Sequence, residues 1–149
     1  YCSYMRLADI YLMYAEAAAN ATGSSTGKST NCTLTALAAV NTIRKRARVE
    51  GVNAKYTGSI DLFNSEIRRE RAVELAYEGH LFWDMRRWKL AHIEYNNYRC
   101  HGLKITNGTY EYIDCDGQDR KFPQKLYVLP VPTSEIKNNA LIEQYDEWK

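Results

Sequence analysis

The stretch ELAYEGHLFWDMRRWKLAH at residues 74–92 carries the side chains that could most readily do chemistry: two histidines, an aspartate and two adjacent arginines. His80 and Asp84 are four residues apart and would share one face of a helix, as two metal ligands would. His92 does not fall on that face, so a third ligand is missing nearby. General acid–base catalysis would need a second carboxylate or a nucleophile from another element, and no such motif is readable. We therefore expect no metal, no cofactor and no catalytic residue, and a metal site is the weaker alternative.

The same charges fit a structural ion-pair network. On a helix with about 100° per residue, the apolar side chains around Leu75 form one face, and arginines and glutamates lie on or beside it. A buried charge left unpaired costs several kcal/mol, so these groups need partners. Helical spacing offers Arg71 a partner in Glu74 and another in Glu78. The predicted buried face comprises Ala72, Leu75, Phe82, Trp83, Leu90 and Ile93, and the predicted network comprises Arg68, Arg71, Glu74, Glu78 and Arg86.

The elements that must position these groups are mainly helical. An apolar stripe that includes Leu7 and Ile10 predicts a first helix over residues 5–20, and the Gly/Ser/Thr-rich stretch after it predicts a mobile surface loop. A second helix follows, with Thr33 as its expected N-cap and Gly51 at its close. Two antiparallel helices with alanines at their contact form a pair of the kind that tetratricopeptide-like arrays stack.

A third helical run covers residues 64–94, and we expect a kink or break at Gly79 because an uninterrupted helix of that length is unusual in a globular protein. The Asn-Gly turn within HGLKITNGTYEYID then predicts a β-hairpin. Its flanking residues Cys100 and Cys115 could form a cross-strand disulfide if the protein lies outside the cytoplasm. The stretch KLYVL predicts a short strand, and Thr133 is the expected N-cap of a final helical turn.

The composition is that of an ordinary globular protein, with one domain expected over residues 1–149. We predict a mainly α fold with tetratricopeptide-like helical pairs over residues 1–94, and a β-hairpin insert with a C-terminal tail over residues 95–149. The net charge of +2 and the single RRWK cluster are too weak to indicate nucleic-acid binding. No apolar run approaches the roughly 18 residues of a membrane span.

Four motifs, taken in order, resemble the C-terminal part of the SusD/RagB family. They are RLADIYLMYAEAAAN (6–20), ALAAVNTIRKRA (36–47), IRRERAVELAYEGHLFWDMRRW (67–88) and LYVLPVPTSEIKNNALIEQ (126–144). Two departures stand out within them. Leu81 occupies a position where the family usually has arginine, and Asn139 replaces a usual proline. They affect local detail and leave the resemblance intact.

The resemblance implies a surface-exposed outer-membrane lipoprotein that captures oligosaccharides or other nutrients without catalysis. Its implied partner is a SusC-like TonB-dependent transporter, on which it sits as a lid. The signal peptide, the lipid-bearing cysteine and much of the glycan site are expected in an upstream part, so the membrane is expected to be reached only through an anchor outside this chain. No family binding residue maps onto the four motifs.

If this chain itself contacts a sugar, tyrosines in the hairpin region are the best candidates. Tyr110 and Tyr112 alternate on one face of the predicted hairpin, and Tyr98 precedes it. A flat exposed ring can stack on a sugar while nearby Asn and Asp side chains bind its hydroxyls. The alternative is that these tyrosines merely cover the helices.

Two other functions stay open. The chain could be a purely structural helical-repeat module that docks the transporter and has no ligand site of its own. Exposed charges such as Arg44, Lys45 and Arg48 would then carry the docking. A cytoplasmic helical-repeat adaptor is the remaining possibility, and four free thiols would favour it.

Overall fold

The computed structural model describes residues 5–97, 101–114 and 121–149. These residues are mainly helical, with one two-stranded antiparallel sheet, and the predicted fold class is confirmed. The chain divides into two compact units, Tyr1–Leu81 (unit 1) and Phe82–Lys149 (unit 2). The assignment of one domain with a boundary near residue 94 stays a prediction. Within the described ranges, no helix combines the length and the apolar character needed to cross a membrane.

Unit 1 contains three helices that share one core. They are α1 (Leu7–Thr22), α2 (Ala36–Arg46) and α3 (Ile60–Glu74). α1 packs against both α2 and α3. The core combines alanines with a few larger apolar side chains, namely Leu12, Ala15, Ala19, Ala36, Ala39, Val40, Ile43, Phe63 and Ile67. Each large side chain buried in this way contributes about 1.5–3 kcal/mol.

The side of α1 that faces this core matches the predicted stripe at Tyr11, Tyr14 and Ala18 but not at Leu7 and Ile10. Leu7 is 69% exposed and Ile10 is 42% exposed, whereas Leu12 is fully buried. α1 must meet two helices at once, and the side with Ala15 and Ala19 allows the closest approach between helix axes. The predicted stripe was wrong at Leu7 and Ile10 because it gave more weight to large side chains than to the alanines.

The loop between α1 and α2 is anchored to unit 1. Gly23, with φ of 68°, ends α1 in the left-handed conformation. The backbone N–H groups of Ala36 and Leu37 then donate to the carbonyls of Gly27 and Ser25, each at 2.8 Å. These bonds satisfy the first N–H groups of α2, which have no partner within the helix. Ser25 and Gly27 are also buried, whereas most other residues of the loop are exposed, so the predicted surface loop is anchored at these two residues.

Both ends of α2 differ from the prediction by a few residues. The N-cap is Thr35, whose Oγ1 accepts from the Ala38 N–H at 3.1 Å, and not Thr33. The helix ends at Arg46, and Arg48 takes the left-handed conformation that was expected of Gly51. Helix ends of this kind depend on local hydrogen bonds that spacing alone does not fix.

The third helical run is broken at two places. α3 is followed by α4 (His80–Arg87) and α5 (Ala91–Asn97). Tyr77 and Gly79 have φ of 64° and 81°, so the predicted break at Gly79 is confirmed. A second break at Lys89, with φ of 59°, was not predicted.

The two breaks also divide the predicted buried face. Leu75 is buried, and Ala72 and Leu90 are half-buried. The other three predicted members, Phe82, Trp83 and Ile93, are exposed. Their prediction was wrong because it treated three separate helices as one continuous helix.

Unit 2 combines short elements around a small core. They are β1 (His101–Thr106), β2 (Thr109–Asp114), a 3-10 turn at Gln124–Tyr127, α6 (Thr133–Asn138) and a 3-10 turn at Asp146–Trp148. Met85, Ala91 and Phe122 are buried together, and Trp88 packs against them as expected of a core residue.

Two predictions in the tail are wrong. The KLYVL strand is largely a 3-10 turn, flanked by Pro123 and Pro130, which lack the N–H that a strand ladder needs. Thr133 is the first residue of α6 and does not cap it, since Pro132 occupies the N-cap position.

Candidate functional site

The hairpin brings the two candidate tyrosines together. A tight turn at residues 107–108, both with positive φ, reverses the chain as the Asn-Gly pair predicts. The register places Leu103 opposite Tyr112 and Ile105 opposite Tyr110. Residues directly opposite one another lie on the same face of the sheet, so these four side chains form a single apolar face.

This apolar face is open to solvent. Ile105 is 69% exposed, Tyr110 is 70% exposed and Tyr112 is 75% exposed. The two tyrosine rings meet edge to face, with centroids 6.2 Å apart and an interplanar angle of 81°. A two-stranded hairpin is marginally stable alone, and an exposed apolar face on it marks a surface that contacts something else.

The other face of the hairpin is mainly polar, apart from Ile113. Lys104 stands opposite Glu111, and Thr106 stands opposite Thr109. The third predicted sugar contact, Tyr98, lies outside the described residues, as do both cysteines of the suggested disulfide. Of the three predicted sugar contacts, the structure therefore brings together Tyr110 and Tyr112, whose two rings form one exposed aromatic surface.

A second concave feature lies entirely within unit 2. It is a groove of about 600 Å³. Its walls are three aromatic, two guanidinium and two aliphatic side chains, from Trp83, Tyr127, Tyr145, Arg86, Arg87, Val128 and Leu129. Trp83 is 61% exposed, so its assignment to the core was wrong. Arg86 and Arg87 follow Trp83 by three and four residues, and this spacing could have indicated that the three side chains share one helix face. Nothing in the local sequence indicates that Tyr145 lies beside them.

Arg86 is fixed in the groove by aromatic rings. Its guanidinium carbon lies 4.5 Å from the centre of the Phe82 ring and 5.2 Å from that of Phe122. Its Nη1 donates to the carbonyl of Leu126. Its Nε is buried and has no hydrogen-bond partner among the described residues. This predicted member of the ion-pair network is therefore held chiefly by cation–π contacts.

Two residues suggestive of metal binding, Asp84 and His92, are engaged in other contacts. The Asp84 carboxylate accepts from the Arg87 Nε at 2.8 Å. The His92 Nδ1 lies 2.7 Å from the Tyr127 hydroxyl, which also accepts from the His92 backbone N–H at 3.1 Å. Across the described parts of the chain, no group of three His, Cys, Asp or Glu side chains is placed to hold a metal ion.

Ion pairs in unit 1 connect positions far apart in sequence. The Arg71 Nη1 donates to the Asp9 Oδ1 at 2.8 Å, and both side chains are buried. The Glu74 and Glu78 carboxylates accept from Arg6 at 2.8 and 2.6 Å. These bonds raise the pKa of the Arg6 guanidinium and lower the pKa of the Glu78 carboxyl. Glu74 and Glu78, the partners predicted for Arg71, accept from Arg6, and helical spacing did not identify Arg6 and Asp9 as members of the network.

A second set of pairs joins α2 to α3. The Arg44 Nη1 lies 3.3 Å from the Glu66 Oε1 and also contacts Glu70. Arg69 donates to both oxygens of Glu66, at 2.7 and 2.9 Å, and chiefly for this reason the pKa of Glu66 is lowered. Arg68, the remaining member of the predicted network, is half-buried in α3. This arrangement connects helices and is that of a scaffold.

Comparison with known proteins assigns the family. The model of the SusD family matches residues 1–148. Two solved structures are similar, those of BT4246, a SusD-like protein from Bacteroides, and of its selenomethionine form. Their sequence identities to this chain are 25% and 26%, and their TM-scores are 0.70 and 0.71. The alignments cover 94% and 95% of this chain but only 23% and 24% of theirs. No curated protein matches the chain.

Proposed function

We propose that this chain, which belongs to the SusD family, forms part of a non-catalytic protein that captures oligosaccharides for import. The family consists of nutrient-binding components of uptake systems. The chain spans about a quarter of the length of the solved structures it matches, so its ligand is inferred from its own surface.

The observation that carries this proposal is the exposed tyrosine pair of the hairpin. Tyr110 and Tyr112 present their rings to solvent at the surface of unit 2. Sugar rings have apolar faces that stack on aromatic side chains, and the tyrosine hydroxyls can donate to sugar oxygens. Rings that meet edge to face also support one another, so little conformational entropy is lost when a ligand arrives.

Isothermal titration tests this proposal with the chain and a panel of neutral hexasaccharides: maltohexaose, xylohexaose and cellohexaose. The double variant Tyr110→Ala/Tyr112→Ala is expected to weaken binding of the preferred sugar by about tenfold or more, which corresponds to about 1.4 kcal/mol. Tyr77→Ala is the matched control, because Tyr77 is a fully exposed tyrosine of unit 1. Unchanged affinity of the double variant would remove the hairpin from the site, and absence of binding to every glycan, neutral or acidic, would refute the proposed function.

We also propose a location and a partner. The protein would be displayed at the cell outer membrane through a lipid anchor outside this chain, beside a SusC-like TonB-dependent transporter. Family membership supports both parts of this proposal. Crosslinking on intact cells, followed by identification of the captured outer-membrane protein, tests the partner.

A purely structural docking role is the second candidate, and an aliphatic surface on α1 favours it. Leu7, Ile10 and Met13 recur at three-residue intervals and are exposed, as expected of a face that packs against another helix. Of the charges predicted to dock the transporter, only Lys45 and Arg48 remain candidates, because Arg44 is held in an ion pair. Under this role Lys45→Glu/Arg48→Glu abolishes transporter capture, and the chain shows no glycan binding.

A further inference from the structure

We propose that the groove in unit 2 is a subsite for acidic oligosaccharides, in which a sugar ring lies against Trp83 and its anionic group lies beside Arg87. This inference rests on the proposed function, because it takes the ligand to be a carbohydrate. The groove would be a second contact surface for the ligand, separate from the hairpin, and it would require the ligand to be negatively charged.

The aromatic walls of the groove suit a sugar ring. Trp83 is 61% exposed and Tyr145 is 49% exposed, so both rings can meet a ligand. Tyr127 is half-buried, and its hydroxyl is held by two contacts with His92. A groove of about 600 Å³ falls within the range of about 300–1,000 Å³ typical of small-ligand sites.

The charge around the groove is positive. Arg86 and Arg87 line it, and among the residues that the structure describes no carboxylate does. Lys89 adds a cation, since its Nζ lies 5.1 Å from the centre of the lining Tyr127 ring. Asp84 is the opposing charge, but it is buried and accepts from the Arg87 Nε. An anionic group on the ligand therefore meets a favourable potential, although the groove is open to solvent and Asp84 offsets part of the charge of Arg87.

Carboxylates next to Tyr145 in the sequence are engaged with a lysine. Glu143 and Asp146 lie 3.6 and 2.9 Å from the Lys149 Nζ. Lys125 adds a further cation, since its Nζ lies 4.5 Å from the centre of the Trp148 ring. The lysines of this segment therefore offset its carboxylates, and the groove keeps its positive charge.

The wall formed by the tail is preorganised. Gln144 exchanges two hydrogen bonds with the backbone of Val131, both at 3.0 Å. The Trp148 Nε1 donates to the carbonyl of Val128 at 2.8 Å. These bonds hold Tyr145 and the lining residue Leu129 in place before a ligand arrives, so binding does not have to order the wall.

Paired ligands of equal length test the charge requirement. Isothermal titration compares trigalacturonate with its fully methyl-esterified form, which keeps the sugar rings and removes the charge. We expect trigalacturonate to bind about tenfold or more tightly than the ester, and its affinity to fall as sodium chloride rises from about 50 to 500 mM. Equal affinity for the two ligands would overturn the inference.

Variants locate the contact. Trp83→Ala and Arg87→Gln are each expected to weaken trigalacturonate binding by about fivefold or more, while Arg87→Lys restores part of it because the charge remains. Arg48→Gln, at an exposed arginine of unit 1, is the matched control and is expected to leave affinity unchanged. Thermal unfolding of each variant checks that unit 2 is intact. Arg87→Gln also breaks the hydrogen bond from Arg87 to Asp84, whereas Trp83→Ala leaves that bond in place and so tests the groove without this side effect.

The outcomes separate this inference from the proposed function. Binding of neutral hexasaccharides without binding of trigalacturonate would overturn the acidic subsite and leave the proposed function standing. Failure of every glycan would overturn both. Tighter binding of hexaglutamate than of trigalacturonate, with the same dependence on Arg87, would show a peptide site and overturn the inference.

Discussion

The buried ion pair between Arg71 and Asp9 offers the sharpest test of the scaffold interpretation. It joins α3 to α1, its atoms are 2.8 Å apart, and its side chains are only 4% and 6% exposed. Substitution Arg71→Met keeps much of the side-chain volume but leaves the Asp9 carboxylate buried without this cation. We expect a large loss of stability.

The magnitude follows from desolvation. Removal of one partner from a buried pair costs about 3–5 kcal/mol, because the remaining charge has lost its hydration and its counter-charge. In a chain of this length, each kcal/mol lowers the melting temperature by about 2–4 °C. Arg71→Met is therefore expected to lower it by about 6–20 °C. Since typical domains have about 5–15 kcal/mol of stability, this loss is at least about a fifth of the total.

Urea unfolding followed by circular dichroism at 222 nm measures the effect, with the exposed Arg48→Met as the matched control. The double variant Asp9→Leu/Arg71→Met is expected to recover most of the loss, because no buried charge then remains unpaired. The resulting double-mutant cycle isolates the coupling between the two side chains. A cost below about 1 kcal/mol for Arg71→Met, equal to that of the control, would refute the reasoning.

Two further predictions concern the pH dependence of stability and the backbone conformation at Gly79. The pKa of Glu66 is lowered from its usual 4.5, chiefly by its hydrogen bonds from Arg69, so the stability it contributes is present above that pH and is lost as the pH falls through the lowered pKa. Glu66→Gln is therefore expected to flatten the acid limb of a stability–pH profile; an unchanged slope would contradict this. Gly79→Ala is expected to cost about 1–2 kcal/mol because of its φ of 81°, whereas Gly58→Ala, which has open space and no positive φ, is expected to change stability by less than about 0.5 kcal/mol. Equal costs in thermal unfolding would count against the left-handed conformation at Gly79.

Much of the fold could be predicted from local pattern. Helical periodicity located the three helices of unit 1, the Asn-Gly pair located the hairpin, and Gly79 located a break. These features depend on residues within a few positions of one another. The four ordered motifs also identified the family, whose model matches nearly the whole chain.

The remaining features depend on contacts between distant segments. Arg71 has its buried partner at Asp9, 62 residues away, and helical spacing could not identify it. Trp83 was predicted to be buried because one continuous helix was assumed, whereas the break near Gly79 and the break at Lys89 expose it. The groove also needs Tyr145, which the hydrogen bonds of the tail bring to α4.

The central claim is that this chain binds a glycan and leaves it intact. Isothermal titration of the chain with the best ligand of the combined neutral and acidic panel, followed by recovery and mass analysis of the sugar, tests it most directly. We expect saturable binding and full recovery of unaltered oligosaccharide. Absence of saturable binding across the panel, or recovery of a cleaved or modified sugar, would contradict it.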